Sequence, residues 1–159
     1  MAETLKRDIP VGASRVLPLV GLLGAILVMV GIWYWVPGMQ LIEAPYRYLG
    51  LVTFVAGVGW AGYGKSQFDR VGTPVLPFTK TTALVVSGPF RFGRNPMYLA
   101  MIIGLISVGI MLGKIAPFAI IPLFIMWIRG RFIHYEEQAM EARFGEEYLE
   151  YKARVRRWI

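Results

Sequence analysis

The stretch VLPLVGLLGAILVMVGIWYWV, residues 16–36, decides the fold class of this chain. It carries no charged residue over 21 positions. Because an α-helix rises about 1.5 Å per residue, this stretch can cross the roughly 30 Å of hydrocarbon in a bilayer. It is too long for the core of a signal peptide, and no small-residue cleavage site follows it. The sequence therefore predicts a retained transmembrane helix, with Trp33 and Trp35 at the membrane interface.

Three more apolar runs follow and are predicted to span the membrane, at residues 48–64, 97–112 and 115–128. The whole chain of 159 residues is 56% hydrophobic and only 17% charged, which is far from a soluble average. The last two runs flank Gly113-Lys114 and form a helical hairpin with both ends on one side. The final run covers only about 21 Å, so either its helix continues into the polar flank or the hairpin dips partway.

The second run contains Gly57-Val-Gly59-Trp-Ala-Gly62, which matches the dinucleotide-binding GxGxxG pattern. That pattern has meaning only between a strand and a helix, and here it lies inside a predicted membrane helix. We interpret the glycines as sites where helix backbones approach closely, within this chain or in a homo-oligomer.

Charge predicts the orientation. Of the 17 basic residues, three precede the first span, five lie between the second and third, and seven follow the fourth. Only Arg47 and Lys114 fall on the other side, so the positive-inside rule places both termini in the cytoplasm. Membrane orientation and anionic headgroups account for the net charge of +7, and no nucleic-acid partner is predicted. The chain lacks cysteine and has one histidine, His134, so no metal site is predicted.

The central loop, residues 66–94, contains Pro74, Pro77 and Pro89 and is predicted to be irregular. Asn95-Pro96 then suits the start of a helix, with asparagine as N-cap and proline in the first turn. Unpaired amides at that start can also receive an anionic ligand group, helped by the charge of Arg91 and Arg94.

Glu137 shares one helical face with Ile133, Met140 and Phe144. A carboxylate on an apolar face needs a partner, either ribose hydroxyls, a cation, or the arginines of the preceding loop. Glu136 points about 100° away, so we expect only one of the pair to face a given ligand. Further apolar positions recur at helical spacing through Phe144, Tyr148, Tyr151, Val155 and Trp158. They predict an amphipathic helix that lies on the cytoplasmic membrane surface or packs over the loop as a lid.

Two motifs carry a family resemblance: LVVSGPFRFGRNPMY, residues 84–98, and the Glu136-Glu137 pair followed by FGEEYLEYKARV, residues 144–155. With the hairpin between them, they resemble the isoprenylcysteine carboxyl methyltransferase family and its phospholipid methyltransferase relatives. The resemblance implies methyl transfer from S-adenosylmethionine to a lipid-like or hydrophobic acceptor. It also implies that residues 82–159 form the cofactor-binding half of a single membrane domain, residues 1–159. The implied cofactor-binding residues are Thr82, Ala83, Leu84, Val85, Phe90, Asn95, Pro96, Met97, Tyr98, and Glu136 or Glu137.

The chain departs from the carboxyl methyltransferases at two positions. Asn95 stands where they carry histidine, and Phe132 stands where they place an acceptor-binding arginine, so Arg131 is the nearest substitute. A carboxylate or thiolate acceptor would need a cation such as Arg131 or Arg94, whereas an amine would need a base such as Glu137. These three are the catalytic candidates. Two other functions remain open, an NADPH-dependent membrane reductase and a non-catalytic lipid-binding protein.

Overall fold

The computed structural model describes residues 18–73 and 82–159, and within those residues the chain is helical and has no strand. The α-helices are α1 Pro18–Trp35, α2 Leu49–Arg70, α3 Pro96–Leu112, α4 Ile120–Ile128, α5 His134–Phe144 and α6 Glu146–Arg154. Short 3-10 turns cover Tyr46–Tyr48, Gly88–Arg91 and Ala116–Ala119, and a π-helical turn, Arg129–Ile133, joins α4 to α5. The prediction of an all-helical chain is thus confirmed for the described residues.

Two of the predicted spans meet the length and composition expected of a membrane helix. They are Pro18–Trp35 and the continuous helical stretch Ala116–Phe144, while Pro96–Leu112 is apolar but shorter. The first two residues of the predicted first span, 16 and 17, lie outside the described residues. Large apolar side chains of α1 and α2 are exposed, including Leu27 and Val52. An apolar surface of this extent is what contact with lipid requires.

The predicted boundary between the second helix and the central loop was wrong. The second helix does not stop at residue 64 but runs to Arg70, because Lys65, Gln67 and Phe68 continue it although the apolar pattern has ended. The predicted irregular loop therefore begins later, and residues 74–81 of it lie outside the described residues.

The fourth helix does not stop at residue 128, since it continues through the π-helical turn into α5. Of the two alternatives for this run, the structure shows the helix that extends into its polar flank.

Helices α2 and α3 pack through glycines spaced seven residues apart. A Cβ atom on Gly50 would lie 2.7 Å from the backbone oxygen of Ser107, and one on Gly57 would lie 3.0 Å from Ile103. The hydroxyls of Thr53 and Ser107 are 2.8 Å apart across the same contact. The predicted close approach of backbones is confirmed at Gly57, whereas Gly59 and Gly62 of the same motif have open space around them.

We expect Gly50→Ala to lower the free energy of unfolding by about 1 to 3 kcal/mol, because the new methyl group overpacks a contact with rigid backbone. Gly59→Ala is the matched control in the same helix, where alanine meets no neighbour and should be neutral or slightly stabilising. Both can be measured by unfolding in mixed micelles followed by circular dichroism. Equal stability of the two variants would contradict the packing described here.

Arg47 and Lys114, the two basic residues predicted to lie on the other side of the membrane, both lie near the hairpin turn at Gly113. Gly113 ends α3 with a φ of 74°, which favours glycine, and its oxygen accepts hydrogen bonds from the amides of Leu41 and Ile42. The Nε of Arg47 donates to the oxygen of Ile42, and the Nζ of Lys114 donates to the oxygen of Trp33 at 2.8 Å. These hydrogen bonds connect the helices at one end. The cavity described next lies at their opposite end.

Candidate functional site

A cavity of about 320 Å³ lies among the first turns of α1 and α3, the end of α2, and helices α5 and α6. Most of its wall is apolar or aromatic, with a few charged groups. Its lining consists of Pro18, Leu19, Phe68, Ala83, Leu84, Val85, Phe90, Arg94, Asn95, Pro96, Met97, Tyr98, Met101, Glu136, Glu137, Met140, Tyr148 and Tyr151. An apolar pocket of this size with a few converging polar groups is typical of a small-molecule site.

The start of α3 forms one wall. Asn95 occupies the predicted N-cap position and Pro96 follows it in the first turn. The side chain of Asn95 does not cap the helix, however, because its Nδ2 donates to the oxygen of Arg157 at 3.1 Å. The expectation of a capping side chain was therefore wrong. The first amides of α3 therefore have no side-chain cap, and the binding of an anionic group there stays a prediction.

Glu137 is held by two arginines. Arg94 approaches one carboxylate oxygen through Nη2 at 3.0 Å, and Arg157 contacts both oxygens, through Nε at 2.9 Å and Nη2 at 2.6 Å. The side chains of Arg94 and Glu137 are only 9% and 10% exposed. The hydrogen bond to Glu137 raises the pKa of Arg157. Of the partners considered for Glu137, the structure thus provides the loop arginine, together with a second cation from residues 155–159, the C-terminal segment.

Glu136 has different surroundings. It accepts a hydrogen bond from the Tyr98 hydroxyl at 2.6 Å, and no salt bridge to it occurs among residues 18–73 and 82–159. Both glutamates line the cavity, and the expectation that only one of them faces a given ligand stays a prediction. Two neighbours that point about 100° apart can both border a cavity that wraps around one side of their helix. Glu136 is the carboxylate left available to a ligand.

Helix α6 closes the cavity with two tyrosines. Tyr148 is 3% and Tyr151 is 4% exposed. The Tyr151 hydroxyl donates to the oxygen of Phe90 at 2.7 Å, and Phe90 in turn packs edge-on against Phe68. Burial raises the pKa of Tyr148 to about 12, so this hydroxyl stays protonated at neutral pH. The predicted C-terminal helix therefore covers the loop that precedes α3.

Helix α6 and the C-terminal segment both form hydrogen bonds with the loop that precedes α3. The amide of Arg94 donates to the oxygen of Arg156 at 2.9 Å, and the Arg94 Nη1 donates to the oxygen of Lys152 at 3.0 Å. A Cβ on Gly93 would collide with the oxygen of Trp158, so this contact requires glycine. Glu137 also lines a polar groove on the outer side, together with His134, Gln138, Glu141, Ala142, Lys152 and Arg157. The Glu137 ion pairs thus stand between the cavity and this outer groove.

The structure brings most of the candidate residues together. All of the cofactor-binding candidates line the cavity except Thr82, which is exposed and donates its amide to the Thr73 hydroxyl. Two catalytic candidates, Arg94 and Glu137, line it as an ion pair. Arg131 does not, because it lies exposed in the π-helical turn.

Sequence reasoning missed several residues of the cavity wall and its supports. Phe68 reaches the cavity because α2 is longer than predicted, and Arg157 reaches Glu137 only through the fold of the C-terminal segment. The apolar spacing of Tyr148 and Tyr151 was recognised, but nothing in it indicated a ligand. Met101 and Met140 line the cavity as well, one helical turn from Met97 and Glu137 respectively. Among the described ranges, no group of three or more potential metal ligands occurs.

The sequence is similar to a known protein family and to a known protein. The sequence model of the phospholipid methyltransferase family matches residues 45–147, which is more than half of the chain and includes both Asn95-Pro96 and the glutamate pair. An uncharacterized protein of Haemophilus influenzae is 36% identical over 63 residues, which are 40% of this chain and the full length of that protein.

Proposed function

Because the chain belongs to the phospholipid methyltransferase family, we propose that it transfers a methyl group from S-adenosylmethionine to a lipid-like acceptor at the cytoplasmic membrane face. Membership of the family supports methyltransferase activity on a lipid-like substrate. Two helices of the chain are long and apolar enough to cross a membrane. The donor, the site residues and the orientation are our proposal. The observation that carries it is a single cavity lined by both sequence motifs.

The residues of this cavity fit the chemical groups of S-adenosylmethionine. Its ribose hydroxyls need an acceptor, and Glu136 is a carboxylate with no cationic partner among the described residues. Its amino-acid carboxylate needs donors, which the uncapped start of α3 supplies. Its adenine needs an apolar or aromatic surface, which Phe90 and its neighbours provide. When bound, this donor supplies an activated methyl group.

The protein then has two tasks, to align the acceptor with the donor and to exclude water. Alignment alone can contribute roughly 7 to 11 kcal/mol to lowering a barrier. Helix α6 and the C-terminal segment shield the cavity from the aqueous side, since Tyr148 and Tyr151 are buried there. Pro18 and Leu19 border the cavity at the start of α1, whose outer surface is apolar. An acceptor with a hydrocarbon chain can approach from that side.

The charges support an orientation with this cavity at the cytoplasmic face. Arg47 and Lys114 mark the opposite end of the helices, whereas Arg94 lines the cavity and Arg157 contacts Glu137 beside it. The positive-inside rule places the richer side in the cytoplasm, where S-adenosylmethionine is made. A cysteine introduced at exposed Arg91 should then react with a membrane-impermeant reagent only in inverted vesicles, since the natural chain has no cysteine. Reaction only in right-side-out vesicles would reverse this orientation.

Methyl transfer itself can be tested with S-adenosylmethionine carrying a tritiated methyl group. Purified protein would be reconstituted with three acceptor classes in parallel: phosphatidylethanolamine for an amine, a farnesylated cysteine for a carboxylate, and a long-chain thiol. We expect label in the organic phase with one class, and loss of that label with Glu136→Gln. Protein that is folded and binds the donor product, yet labels none of the three, would remove the catalytic part of the proposal and favour a lipid-binding role.

A further inference from the structure

The two tyrosines of α6 differ in what their hydroxyl groups contact. Tyr151 donates to the oxygen of Phe90, so its hydroxyl is satisfied by the protein itself. The Tyr148 hydroxyl has no hydrogen-bond partner in the part of the chain that the structure describes, although the residue is 3% exposed. This hydroxyl is not fully sealed from solvent. Since Tyr148 lines the cavity, the open space that its hydroxyl meets is the cavity.

A buried hydroxyl without a partner destabilises the protein, because it has lost its hydrogen bonds to bulk water. Phenylalanine would fill the same space without that cost. The charged groups around this hydroxyl have other partners, since Arg94 and Arg157 contact Glu137 and Glu141 pairs with Lys152. A hydroxyl placed this way gains its partner when the cavity is filled.

We propose that Tyr148 is a ligand-binding residue whose hydroxyl donates a hydrogen bond to an oxygen or nitrogen atom of the methyl donor. This inference rests on the proposed function. It adds a contact from α6 to the cofactor-binding candidates, none of which lies in that helix, and it gives the covering helix a direct part in ligand recognition. We assign this contact to the donor because Tyr148 lines the same cavity as Glu136 and the start of α3, the groups proposed to hold the donor.

The two tyrosines supply a matched pair of variants, each of which removes one hydroxyl and keeps the ring. Tyr148→Phe should weaken binding of S-adenosylhomocysteine by about five- to tenfold, which corresponds to one hydrogen bond. Its melting temperature without ligand should stay the same or rise. Tyr151→Phe should instead lower the melting temperature without ligand, because it leaves the Phe90 oxygen unpaired. Calorimetric titration and thermal unfolding of the detergent-purified proteins measure both quantities.

Equal affinity of Tyr148→Phe and the natural protein would overturn this inference and leave the proposed function standing. So would a fall in the melting temperature of ligand-free Tyr148→Phe that matches the fall in Tyr151→Phe, since the hydroxyl would then have a structural partner. Failure of the natural protein itself to bind S-adenosylhomocysteine would overturn the proposed function together with the inference.

Discussion

Replacing Glu137 by glutamine is expected to lower the free energy of unfolding by about 3 to 5 kcal/mol. The reason is that Arg94, whose side chain is 9% exposed, would keep its charge in a buried place without an anion. Arg157 would lose both of its contacts with the carboxylate, and the C-terminal segment would lose its side-chain attachment to α5. Unfolding in mixed micelles, followed by circular dichroism, measures this loss.

A matched control is Glu141→Gln, which removes the partner of Lys152 from the same helix. That pair is 3.1 Å apart, but its side chains are 37% and 45% exposed. Exposed pairs contribute about 1 kcal/mol or less, so this variant should be nearly as stable as the natural protein. Equal stability of Glu137→Gln and Glu141→Gln would contradict this prediction. It would mean that Glu137 does not compensate the charges of Arg94 and Arg157.

Replacing Glu136 by glutamine is expected to weaken S-adenosylhomocysteine binding by about 10- to 100-fold while the protein stays folded. An amide can still accept the hydrogen bond from Tyr98, so the wall of the cavity keeps its contact. It cannot offer the negative charge that strengthens hydrogen bonds from two ribose hydroxyls, a difference of about 1.5 to 3 kcal/mol. Calorimetric titration of the variant measures the effect.

The control for this second variant is Glu147→Gln in α6, where the glutamate is exposed and does not line the cavity. It changes the net charge by the same amount and should bind with unchanged affinity. An equal loss in both variants would mean that overall charge, and not the position of Glu136, governs binding.

The apolar runs predicted the helices well where proline or glycine marks their ends. The third run, residues 97–112, agrees with Pro96–Leu112 because Asn95-Pro96 starts that helix and Gly113 ends it. Hydropathy failed where a helix continues as a polar one. Lys65 and Asp69 form a salt bridge on the exposed face of the last turns of α2. Arg129 ends the apolar run of α4, but the helix continues there as a π-helical turn.

The candidate site was predictable to the extent that it is local. Residues in the two motifs lie close in sequence to the helix start and to the glutamate pair, and the hairpin brings the two together. The partners of those residues were not predictable, because Arg157 reaches Glu137 only after the C-terminal segment turns back over the loop. The assignment of Arg131 as a catalytic residue relied on its distance in sequence from the glutamates, and the π-helical turn leaves it exposed.

The most direct test of the central claim is calorimetric titration of the detergent-purified protein with S-adenosylhomocysteine, with NADPH titrated in parallel. The cavity described here predicts saturable binding of S-adenosylhomocysteine at one site per chain and no binding of NADPH. Binding of NADPH alone would contradict the claim in favour of a reductase, and binding of neither ligand by folded protein would contradict it in favour of a non-catalytic role.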